Sequence, residues 1–162
     1  MVAPALSIRV DDLTEEATRA LVARHLQGMH ESSPPESVHA LGIDELRAPD
    51  VVLWSGWAGP ELAVIGALKA LDATSGEIKS MRAADAFRGR GAGKAMLDHI
   101  LAEARARRYS TLWLETGSTP DFEPAIRLYE RAGFVRCGPF GDYTLDPFSI
   151  FMRLDLNQRA RS

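Results

Sequence analysis

Residues 77–116 constrain the fold of this chain more than any other stretch, because they read as strand, glycine-rich loop, amphipathic helix and strand in direct succession. Glu77 to Ala83 is strand-like, and Phe87-Arg88-Gly89-Arg90-Gly91-Ala92-Gly93-Lys94 sets alternate glycines among cations. Gly91 to Arg107 then carries Met96, Leu97, Ile100, Leu101 and Ala104 at helical spacing, and Thr111 to Thr116 follows as a second strand. A strand, helix and strand of this length close as a right-handed crossover. The strands at Ile78 and Leu112 are therefore predicted to lie parallel within an otherwise antiparallel sheet, with the helix packed on it.

The flanking residues supply the rest of that sheet. Leu6-Ser7-Ile8-Arg9-Val10 alternates apolar and polar residues and is expected as the first strand. Asp11-Asp12 offers a cap to a helix with Leu13, Ala17 and Leu21 on one face, ending near Met29 before Ser32-Ser33-Pro34-Pro35. Ser37 to Leu46 reads as a second short helix that stops before Pro49. Val51 to Trp57 and Leu62 to Leu71 are expected to pair as antiparallel strands across Ala58-Gly59-Pro60-Glu61. Pro124 suits the first turn of a later helix and Gly133 suits its end.

Composition narrows the function classes. A length of 162 residues with 46% hydrophobic and 25% charged content fits one globular domain, 1–162, with a real core. A net charge of −3 argues against nucleic acid as a bulk partner. No apolar segment approaches the roughly 20 residues needed to cross a bilayer. Met1 to Leu6 has no basic region followed by an apolar run. A cytoplasmic protein without a membrane partner is expected. Cys137 is the only cysteine, which excludes an internal disulfide and a thiolate metal site; its plain reading is a small strand residue. Metal-ligand spacing does not occur, so no metal is expected.

Against this acidic total, Lys79, Arg82, Arg88, Arg90 and Lys94 concentrate positive charge around the glycine loop. Glycine admits positive φ and close backbone approach, and the free N–H groups of a helix N-terminus attract anions. The loop is thus a seat for a pyrophosphate, with Arg90 and Lys94 the best-placed side chains. A P-loop would need glycine at 88 and Ser or Thr at 95, where Arg88 and Ala95 stand; a dinucleotide fingerprint would need glycine at 94, where Lys94 stands.

What remains is Arg-x-x-Gly-x-Gly from Arg88 to Gly93, followed downstream by Ala125-Ile126-Arg127-Leu128-Tyr129-Glu130-Arg131-Ala132-Gly133-Phe134. The two motifs, in this order and separation, resemble those of the GNAT acetyltransferase superfamily. The likeness runs from Glu77 to Phe134. Leu112 to Gly117, Pro139 to Tyr143 and Asp146 to Met152 look like a bacterial subgroup acting on small molecules. The resemblance implies an α/β GNAT fold: a mixed, mostly antiparallel sheet of six to seven strands with a splayed parallel pair, flanked by about four helices. It further implies acetyl-CoA as cosubstrate. Pantetheine would pair with the backbone of Met81, Arg82 and Ala83, and Arg88, Gly89, Arg90, Gly91, Ala92, Gly93 and Lys94 would surround the pyrophosphate. The family's cofactor-holding asparagine is replaced here by Phe122.

The implied reaction is direct attack of an amine on the thioester. An alkylammonium with a pKa of about 10 must lose a proton first, and the departing thiolate gains from receiving one. Tyr129 matches the family's acid. Glu115, a charge after an apolar strand run, and Glu77, on the other splayed strand, are both candidate bases beside a water relay. The expected acceptor is a primary amine of a small molecule. A peptide or protein amine is the alternative acceptor, and a non-catalytic acyl-CoA sensor is the alternative to an enzyme. His25, His30 and His39 lie in the early helices and are read as surface residues before ligands; His99 is given no role. Tyr143 and Trp54 or Trp57 are candidates to line the acceptor pocket, with core packing the plainer reading for each. Phe148, Ile150 and Met152 are core or homodimer contacts.

Overall fold

In chain order, the elements are β1 (Ser7–Val10), α1 (Glu16–Ser32), a 3-10 turn (Pro35–Ser37), α2 (Ile43–Leu46), β2 (Val51–Ala58), β3 (Glu61–Ala70) and β4 (Ser75–Ala83). They continue with α3 (Ala92–Ala106), β5 (Thr111–Gly117), α4 (Glu123–Arg131), β6 (Val135–Cys137) and β7 (Ser149–Asp155). This computed structural model describes residues 5–156; residues 1–4, where the N-terminal stretch read above begins, lie outside the described residues. The strands form one sheet in the order β1-β2-β3-β4-β5-β7-β6. Among the described residues only β4 and β5 pair in parallel, so the crossover read from residues 77–116 is present. The result is an α/β fold with a seven-stranded, mostly antiparallel sheet.

Period-2 alternation sends neighbouring strand residues to opposite faces, and each face has its own core. On one, Met96, Leu97, Ile100 and Ala104 of α3 pack with Val64, Leu68, Ile78 and Leu112. On the other, Leu21 and Val22 of α1 and Leu46 of α2 pack with Leu53, Ile65 and Ala67. Met152, expected as core or dimer contact, is fully buried, while Phe148 is exposed. Among the described residues no helix is long and apolar enough to cross a membrane.

Two local expectations are corrected. The second helix does not span Ser37 to Leu46, because Val38 is extended and Gly42 is extended ahead of the four-residue α2. Neither Asp11 nor Asp12 caps α1, whose N-cap is Glu15 without a side-chain bond. Instead the Asp11 carboxylate accepts from the Leu13 N–H at 2.8 Å and from the hydroxyls of Thr18 and Ser55 at 2.9 and 2.7 Å. That carboxylate ties β1, α1 and β2 together through buried hydroxyls that would otherwise be unsatisfied.

Gly66 of β3 lies beneath α3, where an added Cβ would stand 2.7 Å from Met96 Cγ and 2.9 Å from Ile100 Cδ1. Replacement of Gly66 by Ala overpacks this contact, and we expect a loss of about 1–3 kcal/mol of stability, read from the urea midpoint. An unchanged midpoint would show that α3 can shift away freely.

Candidate active site

The parallel ladder between β4 and β5 runs from Ser75 opposite Thr111 to Ile78 opposite Leu114, and there it stops. The cause lies on the other edge of β4, where the register with β3 slips between Ile65 and Ala67. One extra β4 residue must be absorbed opposite Gly66, and Ser80 takes it up with a positive φ of 56°. Such a bulge bends and twists its strand. Beyond it β4 and β5 separate around a cleft of about 810 Å³.

The floor of the cleft is built by the glycine loop. Gly89 and Gly91 have φ of 72° and 84°, and Gly91 is the residue from which α3 starts. The N–H groups of Ala92, Gly93 and Lys94 open the helix and have no carbonyl one turn back within it. Arg88, Gly89, Gly91, Ala92, Gly93 and Lys94 all line the cleft, as do Met81, Arg82 and Ala83. Arg90 does not: its guanidinium lies 5.0 Å over the Phe87 ring. The Lys94 ammonium is exposed and 2.7 Å from Asp98.

Both candidate carboxylates line the cleft, in different states. Glu77 is buried, 3.2 Å from the Lys79 ammonium, and its Oε2 accepts a 2.5 Å hydrogen bond from the Tyr143 hydroxyl. Lys79 also donates to that hydroxyl oxygen at 2.8 Å, so the three groups form a closed network. Glu115 accepts from the Ser149 hydroxyl at 2.8 Å. Burial pushes the Glu115 carboxyl up to about 7, with Glu77 and Asp146 adding to the rise while the Ser149 bond and Lys79 oppose it. Tyr129, on α4, is buried with its hydroxyl held far above the usual phenol range, first by burial and then by the charge of Glu115. The strand carboxylate and the helix phenol therefore share one field in one cleft.

The other sequence candidates divide. Tyr143 belongs to the site through Glu77 and Lys79, and its ring meets His39 edge-on at 4.9 Å. Trp54 and Trp57 do not line the cleft: Trp54 is in the core under α3, and Trp57 is buried with its indole N–H on Ser55. His30 is exposed as expected. His25 is not on the surface but is buried in the cleft wall, where desolvation and then Arg82 push it down to about 4, leaving it neutral. Phe122 lines the cleft and covers β5, since a Cβ on Gly117 would lie 2.1 Å from its ring. The Cys137 thiol is half-buried and raised by burial, the plain reading of that residue. Sequence reasoning missed Ser149 and Arg24. Ser149 stands 34 positions from its partner Glu115 and carries no motif; Arg24 gains meaning only once α1 is laid across β4.

This geometry coincides with what known proteins report. The Acetyltransferase (GNAT) family model matches residues 11–134. The chain is 52% identical over 147 residues to the uncharacterized N-acetyltransferase YsnE of Bacillus subtilis, covering 91% of this chain and 97% of that protein. It is 50% identical to the uncharacterized N-acetyltransferase YedL of Escherichia coli, covering 93% and 94% of the two chains. Among solved structures, an aminoglycoside 6'-N-acetyltransferase complexed with coenzyme A superposes with a TM-score of 0.69 at 15% identity, covering 96% of this chain and 99% of that one. The chain belongs to the GNAT acetyltransferase family and is an acyltransferase.

The raised Glu115 carboxyl has a consequence for stability. Between its ordinary 4.5 and about 7 the folded chain holds a proton that the unfolded chain releases. Stability is therefore expected to fall as pH rises through that window, with the full penalty above it. Urea midpoints across pH 5–8 should flatten in Glu115→Gln relative to the parent; an identical slope would mean that Glu115 ionises as an ordinary surface acid.

Proposed function

We propose that this chain transfers the acetyl group of acetyl-CoA to a primary amine of a small molecule by direct attack within a ternary complex. The observation that carries the reading is the pairing of Glu115, held near neutrality, with Tyr129, held protonated, in the cleft between the splayed strands. Glu115 fits the base better than Glu77 does. A base works best with a pKa near the working pH, and Glu77 is already occupied by Lys79 and Tyr143.

Acetyl-CoA is a substrate here, and the chain's own groups suit its parts. Positive-φ glycines and the N-terminus of α3 suit the pyrophosphate. An added Cβ on Gly89 would meet nothing within 4 Å, so the loop faces open space that a phosphate can occupy. The unpaired backbone edge of Met81 to Ala83 suits the pantetheine amides. Glu115 takes one proton from the ammonium, and the freed nitrogen forms a C–N bond to the thioester carbonyl and sheds a second proton to solvent. The C–S bond breaks, and Tyr129 hands its proton to the departing sulfur. Amide and free thiol leave, and the proton on Glu115 returns to Tyr129 through solvent.

Closure of the acceptor side favours a small molecule over an extended peptide. Ser32 at the end of α1 donates to Asp121 at 2.8 Å, and Ser37 donates to Asp146 at 2.6 Å. Those bonds tie the segment after α1 to the connections that follow β5 and β6.

In thiol-release assays kcat/KM should rise with pH through an inflection near 7. Glu115→Gln should lose that inflection and on the order of 10²–10⁴-fold in rate. Tyr129→Phe should lower kcat while calorimetric CoA binding stays as in the parent. An inflection that survives in Glu115→Gln assigns the base to another group.

A further inference from the structure

Five buried side-chain polar atoms lack a hydrogen-bond partner among the described residues: Arg24 Nη1, His25 Nδ1, Ser80 Oγ, Arg82 Nε and His99 Nε2. All but His99 belong to residues that line the cleft. Three of them form one patch. Arg82 extends from β4 on the face opposite Met81, toward α1, where its Nη2 would stand 2.6 Å from a Cβ on Gly28. Arg24 and His25, on the same α1 face as Gly28, complete the surround. Buried polar atoms are almost always paired, and an unpaired group on a cation is the costliest exception.

The charge balance of the patch points the same way. Arg82 feels burial first, and then the like charges of Arg24 and Arg88, more strongly than the opposing charges of Asp85 and Glu31. Among the described residues Arg24 has one weak partner, Asp85 at 3.4 Å, and Arg82 has no ion pair. His25 is neutral and adds no counter-charge. Asp85 and Glu31 offset the two guanidiniums only in part, and like charges left unbalanced in a concave wall suit the recognition of a planar anion. Glu77 and Glu115 line the same cleft, so the cavity holds carboxylates as well as these guanidiniums.

We propose that the acceptor is an amine that also carries a carboxylate, and that Arg82 with Arg24 binds the carboxylate while the amine faces Glu115. This rests on the acetyltransferase reading above. A phosphate of the acyl-CoA could offer the guanidiniums similar chemistry. The acceptor is favoured because Arg82 points to the α1 face, whereas the glycine loop at the start of α3 is the seat for the pyrophosphate.

The test uses matched pairs of α-, β- and γ-amino acids and their amides as acceptors, scored by thiol release from acetyl-CoA. In parallel, the N-acetyl form of each acid and amide is titrated calorimetrically into the CoA-loaded protein, which needs no turnover. We expect at least one acid to exceed its amide by about tenfold or more in kcat/KM, the size of one charge-assisted pair. Arg82→Gln should bring that ratio near one with CoA affinity unchanged, and Arg82→Lys should restore part of it. Arg24→Gln, on another element, should show the same direction if Arg82→Gln does not fold. Equal use of acids and amides, or a preference that survives both variants, overturns the proposal. So does a loss of CoA affinity in Arg82→Gln with the acid preference intact, which assigns the guanidinium to a phosphate. If no amine is turned over, the turnover reading fails and calorimetry alone decides: acid-selective binding that depends on Arg82 supports the carboxylate site, and its absence ends it.

Discussion

The termination of one parallel ladder organises this molecule. β4 and β5 pair from Ser75 and Thr111 to Ile78 and Leu114, and the bulge at Ser80 then carries β4 away. A sheet interior normally satisfies every backbone group across its neighbours, so a split inside it exposes amides and carbonyls that a ligand can pair with. The split is held open from both faces. Gly66 lets α3 sit close against the bulge, and Gly28 lets Arg82 fold under α1. Neither contact leaves room for a larger residue without displacement of its partner.

From that opening follows the unequal treatment of two similar carboxylates. Glu77 precedes the split, in the paired part of β4, and is neutralised by Lys79 and Tyr143. Glu115 is the first β5 residue past the last β4 pair, with a single hydroxyl from Ser149 and a half-buried setting. One is a structural counter-ion, and the other is left with a proton affinity that environment sets near neutrality. One residue, Ile78, separates Glu77 from Lys79, yet it is the distant Tyr143 that fixes the difference, by consuming the remaining acceptor capacity of Oε2.

How far this was legible from sequence depends on the range of the forces involved. The crossover, the glycine loop, the buried stripe of α3 and the helix bearing Tyr129 rest on local periodicity and backbone chemistry, and the structure has them within a residue or two. The segment 37–46 departs from its helical pattern because Gly42 and an extended Val38 interrupt it. Asp11 looked like a helix cap, but a hydroxyl 44 residues away, on Ser55, competes for it. Trp54 and Trp57 show the limit for aromatics: composition says that they are buried, and only strand register says on which side. His25 and Arg24 became meaningful only when α1 was placed across β4, a tertiary fact with no local signal.

Polarity across the cleft links the split to selectivity. On the function proposed above, an amine approaching Glu115 enters the field of Glu77 and Asp146, so a simple cation would be drawn there and held protonated. A molecule carrying its own anion is pulled in the opposite sense by Arg82 and Arg24, which limits how deeply its ammonium is trapped among the carboxylates. Opposed anchoring of this kind fixes orientation, and orientation is what brings an amine nitrogen to the carbonyl carbon in the near-attack geometry that transfer needs. A cleft lined by carboxylates alone would bind amines more tightly but release the proton less readily. On that reading, Arg82 and Arg24 would tune the reaction as well as the choice of substrate.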